Sequence, residues 1–201
     1  MPTFKCVGLP AGKGKLGLTN RIYVSEADFT KLQAGHPMQG GDAVTAESGL
    51  ICLANDTAPY TVAPCDAVDD GCVALNMLQR MYLSLAMNDE VEVTVMAIPK
   101  RNFVLGAATL ELSLLAAAPA VKAFDAPEVA RKVKTEFARQ VFAPGQNFAI
   151  IVDRTQVKVT VRDMAYLDLS SIKGGGGGAS EGKGGDDDAT GAGGASGGAG
   201  G

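Results

Sequence analysis

"GCVALNMLQRMYLSLAMNDEVEV", Gly71 to Val93, decides the fold, because it reads as two strands separated by a helical turn. Its last part runs on into "EVEVTV", where Val91, Val93 and Val95 alternate with Glu90, Glu92 and Thr94. Such alternation buries one face of a strand and wets the other. "GCVALN" is a short apolar run opening on glycine, and "LQRMYLSL" between them has room for a single helical turn. The same grammar extends upstream to Leu16: "RIYVS", "GDAVTA", "GLICLA" and "YTVAP" are candidate strands bounded by Gly, Asn, Asp and Pro. Among them "SEADFTKL", Ser25 to Leu32, predicts a short helix capped by Ser25, with Asp28 three residues on.

Downstream, "MAIPKRN", Met96 to Asn102, combines a proline with two adjacent cations and reads as a hinge. A smaller α/β half follows. "ATLELSLL" predicts a strand with Leu110, Leu112 and Leu114 inward, and "NFAIIVD" and "QVKVTVRD" predict two more around an Arg154-Thr155 turn. Between them "DAPEVARKVKTEFARQVF" predicts the best helix of the chain, capped by Asp125, with Pro127 in its first turn and Ala143-Pro144-Gly145 ending it. Its packing stripe is Val129, Val133 and Phe137, with Ala130 and Val141 beside it, while Arg131, Lys132, Lys134 and Arg139 belong to a solvated face.

The chain has 201 residues, enough for one medium core or two small ones. Fifteen of its 26 glycines lie between Gly174 and Gly201, with no large apolar residue among them. That stretch cannot bury enough surface to offset its ordering entropy and is expected to be a disordered linker. The linker carries −3 of the total −4, so Met1 to Lys173 is nearly neutral and attraction of the whole body to nucleic acid or membrane is not expected. No apolar run approaches the length of a membrane span, and "MPTFKCVGLPAGKGK" lacks the apolar segment of a secretory signal, so a cytoplasmic chain is expected. Cys6, Cys52, Cys65 and Cys72 form no CxxC pair and are expected to be reduced thiols.

Chemistry-bearing motifs are missing. "AGKGKLGLTN", Ala11 to Asn20, resembles a phosphate loop but has the wrong spacing from Gly8 to Gly14-Lys15, and Leu16 stands where a magnesium-binding hydroxyl belongs. It is expected to be a mobile, basic lead-in to the first strand, leaving Lys5, Lys13 and Lys15 as surface charges. The single histidine, His36, sits on a Gly/Pro-flanked loop and reads as a turn residue. Asp69 and Asp70 precede Gly71 as turn residues do. No catalytic, cofactor or metal site follows from the residues.

Four stretches in order carry a resemblance: "LGLTNRIYVSEADF", "GCVALNMLQRMYLSLAMNDEVEV", "TEFARQVFAPGQNFAIIV" and "VTVRDMAYLD". Together they resemble the amino-terminal domain of N-ethylmaleimide-sensitive factor, the vesicle-fusing AAA ATPase, over Leu16 to Ser171. The resemblance implies a mixed β and α/β fold: a double-psi β-barrel at 1–96, a hinge at 97–102, an α/β roll at 103–173 and the flexible tail at 174–201. It implies a groove whose basic rim receives the acidic end of the soluble attachment protein, SNAP, and through it SNARE complexes. The partner-binding residues it implies are Arg80, Lys5 and Lys122, with Lys100 and Arg101 from the hinge. Two departures weaken that rim: Met81 stands where the family has a base, and Ala116 to Ala118 replace a lysine pair. ATP, magnesium and a hexameric ring belong, by the same resemblance, to AAA modules beyond a linker, so the chain looks like the recruiting domain alone. Two rivals share the barrel: a ubiquitin-adaptor module of the valosin-containing kind, and a double-psi-barrel enzyme such as an aspartate decarboxylase. No Gly-Ser pair exists for the decarboxylase's self-cleavage.

Overall fold

The computed structural model describes residues 2–35, 50–96, 104–115 and 123–167. Six strands close a barrel: β1 (Thr3–Val7), β2 (Arg21–Val24), β3 (Leu50–Ala54), β4 (Ala58–Pro64), β5 (Cys72–Ala74) and β6 (Glu90–Val95), in the order β1-β5-β2-β4-β3-β6. The pairs β1/β5 and β2/β4 are parallel and the other four antiparallel. Alternation fills the interior: Phe4, Cys6, Ile22, Val24, Leu50, Cys52, Tyr60, Val62, Val91 and Val93 are buried in one cluster. The strand expected at "GDAVTA" lies outside the described residues, as does His36.

β1 is absent from the expectations above. Its five residues alternate exposed and buried, and they pair with both β5 and β6. The Gly-rich stretch after it is consequently no lead-in to a first strand. Gly14–Leu18 forms a 3-10 helix, Leu9 and Leu16 pack on a second cluster of Tyr23, Ala63, Cys65, Val68 and Ala74, and Lys13 pairs with Asp66 at 3.1 Å. This segment covers the outside of the barrel.

α1 (Glu26–Ala34) begins where expected: the Asp28 N–H donates to Ser25 Oγ at 3.1 Å. Asp28 does more than sit in the first turn. Its buried carboxylate accepts from Gly71 N–H at 2.6 Å, Lys31 Nζ at 2.8 Å and the Ser25 hydroxyl at 3.2 Å, so it ties the start of α1 to the turn before β5. Gly71 takes φ of +74° in that turn, and Cys72 N–H donates to Asp69 O, which is the turn role expected of Asp69 and Asp70.

The second sheet has the order β7-β9-β8: β7 (Leu105–Leu114), β8 (Asn147–Val152) and β9 (Thr155–Tyr166). Leu110, Leu112 and Leu114 stand opposite Val161, Val159 and Val157, as their alternation predicts, although Leu114 at the strand end is 37% exposed. The β8–β9 turn is Asp153-Arg154, one residue earlier than expected, because both adopt left-handed φ of 45° and 63° and Thr155 joins the ladder.

α3 (Ala126–Glu136) packs Val129 and Val133 on this sheet but is shorter than its sequence pattern. Phe137 leaves the helix to stack beside Phe148 with ring centroids 4.5 Å apart, and Arg139 turns left-handed at φ 63°. Aromatic packing ends the helix well before Ala143-Pro144-Gly145 does. Asp125 stands at the N-cap position without a side-chain capping bond, and Ala130 is exposed.

The two sheets meet through polar contacts. Gln146, fully buried before β8, donates through Nε2 to Pro59 O of the barrel at 3.2 Å and accepts from Ala143 N–H at 3.0 Å. The Tyr82 hydroxyl donates to Pro144 O at 3.1 Å.

Two stability outcomes follow. Burial alone would raise the Asp28 carboxyl, but Lys31, Gly71 N–H and Ser25 outweigh it and hold it below the usual carboxylate range. A depressed folded pKa adds stability that is present above the unfolded value of about 3.9 and lost as pH falls through the folded one. Asp28→Asn should therefore unfold at lower urea than the unaltered chain near pH 7, by about 2 kcal/mol, and the gap should narrow as pH falls below the usual carboxylate range. A gap independent of pH would contradict the ionic role. Gln146→Ala, which orphans Pro59 O and Ala143 N–H, should cost about 2 kcal/mol in the same urea titration.

Candidate functional site

α2 (Met77–Leu83) is the element on which the sequence places its foremost binding residue, and it is anchored at three points. Asn76 and Gln79 form a reciprocal capping box: Gln79 N–H donates to Asn76 Oδ1 and Asn76 N–H donates to Gln79 Oε1, both at 2.9 Å. Gln79 is fully buried, and its Nε2 donates to Arg21 O at 3.0 Å, which pins the helix to β2. At the other end Ser84 adopts φ of 55°, with its N–H donating to Met81 O and Leu85 N–H donating to Arg80 O. The helix is two turns long rather than one, since these caps satisfy the backbone groups that a single turn would leave open.

Its inward side is spent on packing. Leu78 is buried, and Tyr82 and Leu83 lie against the barrel core. Tyr82 also faces Gly145, whose φ of +82° suits glycine and where a Cβ would come within 3.4 Å of the ring. α2 thus forms a ledge where barrel and second sheet meet.

Arg80 lies on this ledge, half-buried, with Nε sealed from solvent and lacking a hydrogen-bond partner. It forms no ion pair among the described residues. Burial raises the Cys6 thiol, the nearby Arg80 charge pulls it back, and Asp89 adds to the rise. Asp89 accepts instead from Ala86 N–H at 2.7 Å.

Lys5 is exposed on β1, on the strand face opposite Cys6, with Glu90 as its cross-strand neighbour on β6. Lys122, Lys100 and Arg101 lie outside the described residues, as do Ala116 to Ala118 and most of the expected hinge. Of the five residues the sequence nominates, two lie among the described residues, Arg80 on α2 and Lys5 on β1.

Sequence reasoning did not foresee the outward face of α2. Met77 is 58% exposed and Met81 67% exposed, where a stripe rule would have buried them. The Asn76-to-Gln79 spacing was the one available signal that a capped helix, not a loop turn, stands here.

A cleft of about 300 Å³ opens between α1 and the start of β1, lined by Phe4, Asp28, Lys31 and Leu32 among others. Its two charged walls, Asp28 and Lys31, pair with each other at 2.8 Å. All four cysteines are free thiols, and burial pushes Cys52 up to about 12. Among the described residues there is no group of three or more His, Cys, Asp or Glu placed to hold a metal ion, and no helix long and apolar enough to cross a membrane.

No family model matches the chain. Over 154 residues, 71% of its length, it is 27% identical to a vesicle-fusing ATPase of Arabidopsis thaliana. The chain spans 19% of that relative. It is thus a barrel-containing β/α chain with distant similarity to a vesicle-fusing ATPase.

Proposed function

We propose that the chain is an adaptor-docking unit of the vesicle-fusing kind, which recognises the acidic end of a soluble attachment protein on SNARE complexes. In this reading the six-stranded barrel is a double-psi barrel, the second sheet with α3 is the α/β roll, and the divide between them falls in the Met96–Asn102 stretch. The chain supplies recognition; AAA modules supply ATP hydrolysis and the hexameric ring. The protein would work in the cytoplasm, peripheral to membranes through SNARE complexes.

The observation that carries the reading is Arg80: a guanidinium on a rigidly capped helix, with no carboxylate partner among the described residues. Guanidinium offers a planar fork of donors that matches a carboxylate, and a half-desolvated one gains more from an incoming anion than a fully hydrated one does. The similarity to a vesicle-fusing ATPase names the class of complex in which such a docking arginine would work. Lys5, Lys122, Lys100 and Arg101 are assigned to the same basic rim. Complementary charge would mainly speed encounter and select the partner.

The immobilised chain should retain attachment protein bound to SNARE complex at low salt and release most of it near 0.5 M salt, as screening shortens to about 4 Å. Arg80→Glu should weaken retention by about tenfold or more. Full retention by that variant would remove Arg80 from the contact. Retention of ubiquitin-like adaptors in place of the attachment protein would move the chain to the valosin-containing class.

A further inference from the structure

We infer that the outward face of α2 docks by apolar contact as well as by charge: Met77 and Met81 receive a large apolar side chain that the attachment protein carries beside its carboxylates. The inference rests on the docking reading above and adds the chemistry of the partner's surface to it.

Met77 and Met81 are four residues apart on one helix and Met77 and Arg80 three apart, so Met77 is the shared neighbour of the other two side chains. Both are more than half exposed, at 58% and 67%. A single exposed apolar residue is ordinary. Here, however, two adjacent ones share a helix with a guanidinium that has no anion among the described residues and lies three residues from Met77, and that helix is fixed at both ends and in its middle by Asn76, Ser84 and Gln79. The helix's core packing comes from Leu78, Tyr82 and Leu83 on its other side, so the methionines are not needed to hold it. Met is unbranched and polarizable and moulds to irregular apolar partners.

The charge pattern then selects the occupant. A purely acidic segment would engage Arg80 and leave two methionines in water. A purely apolar segment would desolvate the guanidinium without pairing it, which is costly. A segment with a carboxylate flanked by an apolar side chain satisfies both, and the methionines would exclude water from the charge pair and strengthen it. Because the apolar part is indifferent to screening, binding should fall less steeply with salt than an all-basic rim would give.

The test uses the full chain labelled with ¹³C at methionine methyls and titrated with attachment protein at low salt and near 0.5 M salt. The Met77 and Met81 signals should move on binding, and weak binding should persist at the higher salt. The double variant Met77→Ser, Met81→Ser should bind about tenfold more weakly at low salt and lose the residual binding at high salt, with its thermal midpoint unchanged. If the attachment protein binds in an Arg80-dependent way while both methyl signals stay still, or the double variant binds as tightly as the unaltered chain, the apolar contact is wrong and the docking function stands. If the unaltered chain does not bind at all, both fall. The methyl signals are read on the unaltered chain, so the answer does not depend on any variant folding.

Discussion

The barrel closes through β1, and the placement of β5, β6 and α2 depends on that closure. β1 runs parallel to β5 through Lys5–Val7 and antiparallel to β6 through Thr3–Lys5. Without it β5 and β6 would each present a row of unpaired backbone groups, and the buried face of the sheet would open to water. Asp28 reinforces the closure from the side, because its bond to Gly71 N–H fixes the turn from which β5 departs toward β1. α2 follows β5 after two residues, so the position of the ledge depends on the same turn.

Eight of the nine described strands, β2 to β9, fall on or overlap their predicted runs, although β4, β7 and β9 extend beyond theirs. β1 was not legible, since five residues containing a lysine, next to a Gly/Pro-rich stretch, give little periodic signal; its identity comes from partners more than sixty residues away. The 3-10 segment was misjudged for the same reason. Nothing local says that Leu9 and Leu16 will cover Tyr23 and Ala63, and a glycine-lysine run looks mobile until its target surface is known. α3 shows the opposite failure, where helical spacing continues in the sequence past Glu136 but Phe137 is taken by the Phe142–Phe148 aromatic group. Tertiary packing overrides propensity at that end.

The candidate site divides along the same line. The charge of Arg80 and the motif around it are sequence properties, whereas its half-burial and the sealed Nε are properties of the ledge. The exposure of Met77 and Met81 was not legible, as apolar residues at helical spacing point inward by default. What inverts the default is the capping box together with Gln79: burying a glutamine that bonds Arg21 O sets the rotation of α2 and turns its methionines outward.

That arrangement separates the part of α2 that must be kept from the part that is free to vary. The rotation of the helix is held by Asn76, Gln79, Tyr82 and Ser84, none of which contributes charge to the outer face. The outer face can therefore exchange a base for a methionine with little cost to folding, and in the proposed docking role such an exchange would change the balance between two components of binding. Charge at the rim governs how quickly a partner arrives and how strongly salt opposes it, while desolvated apolar contact governs how slowly the partner leaves. In the proposed docking role, an outer face carrying Met77 and Met81 as well as Arg80 would give a slower, less salt-sensitive release than a wholly basic rim.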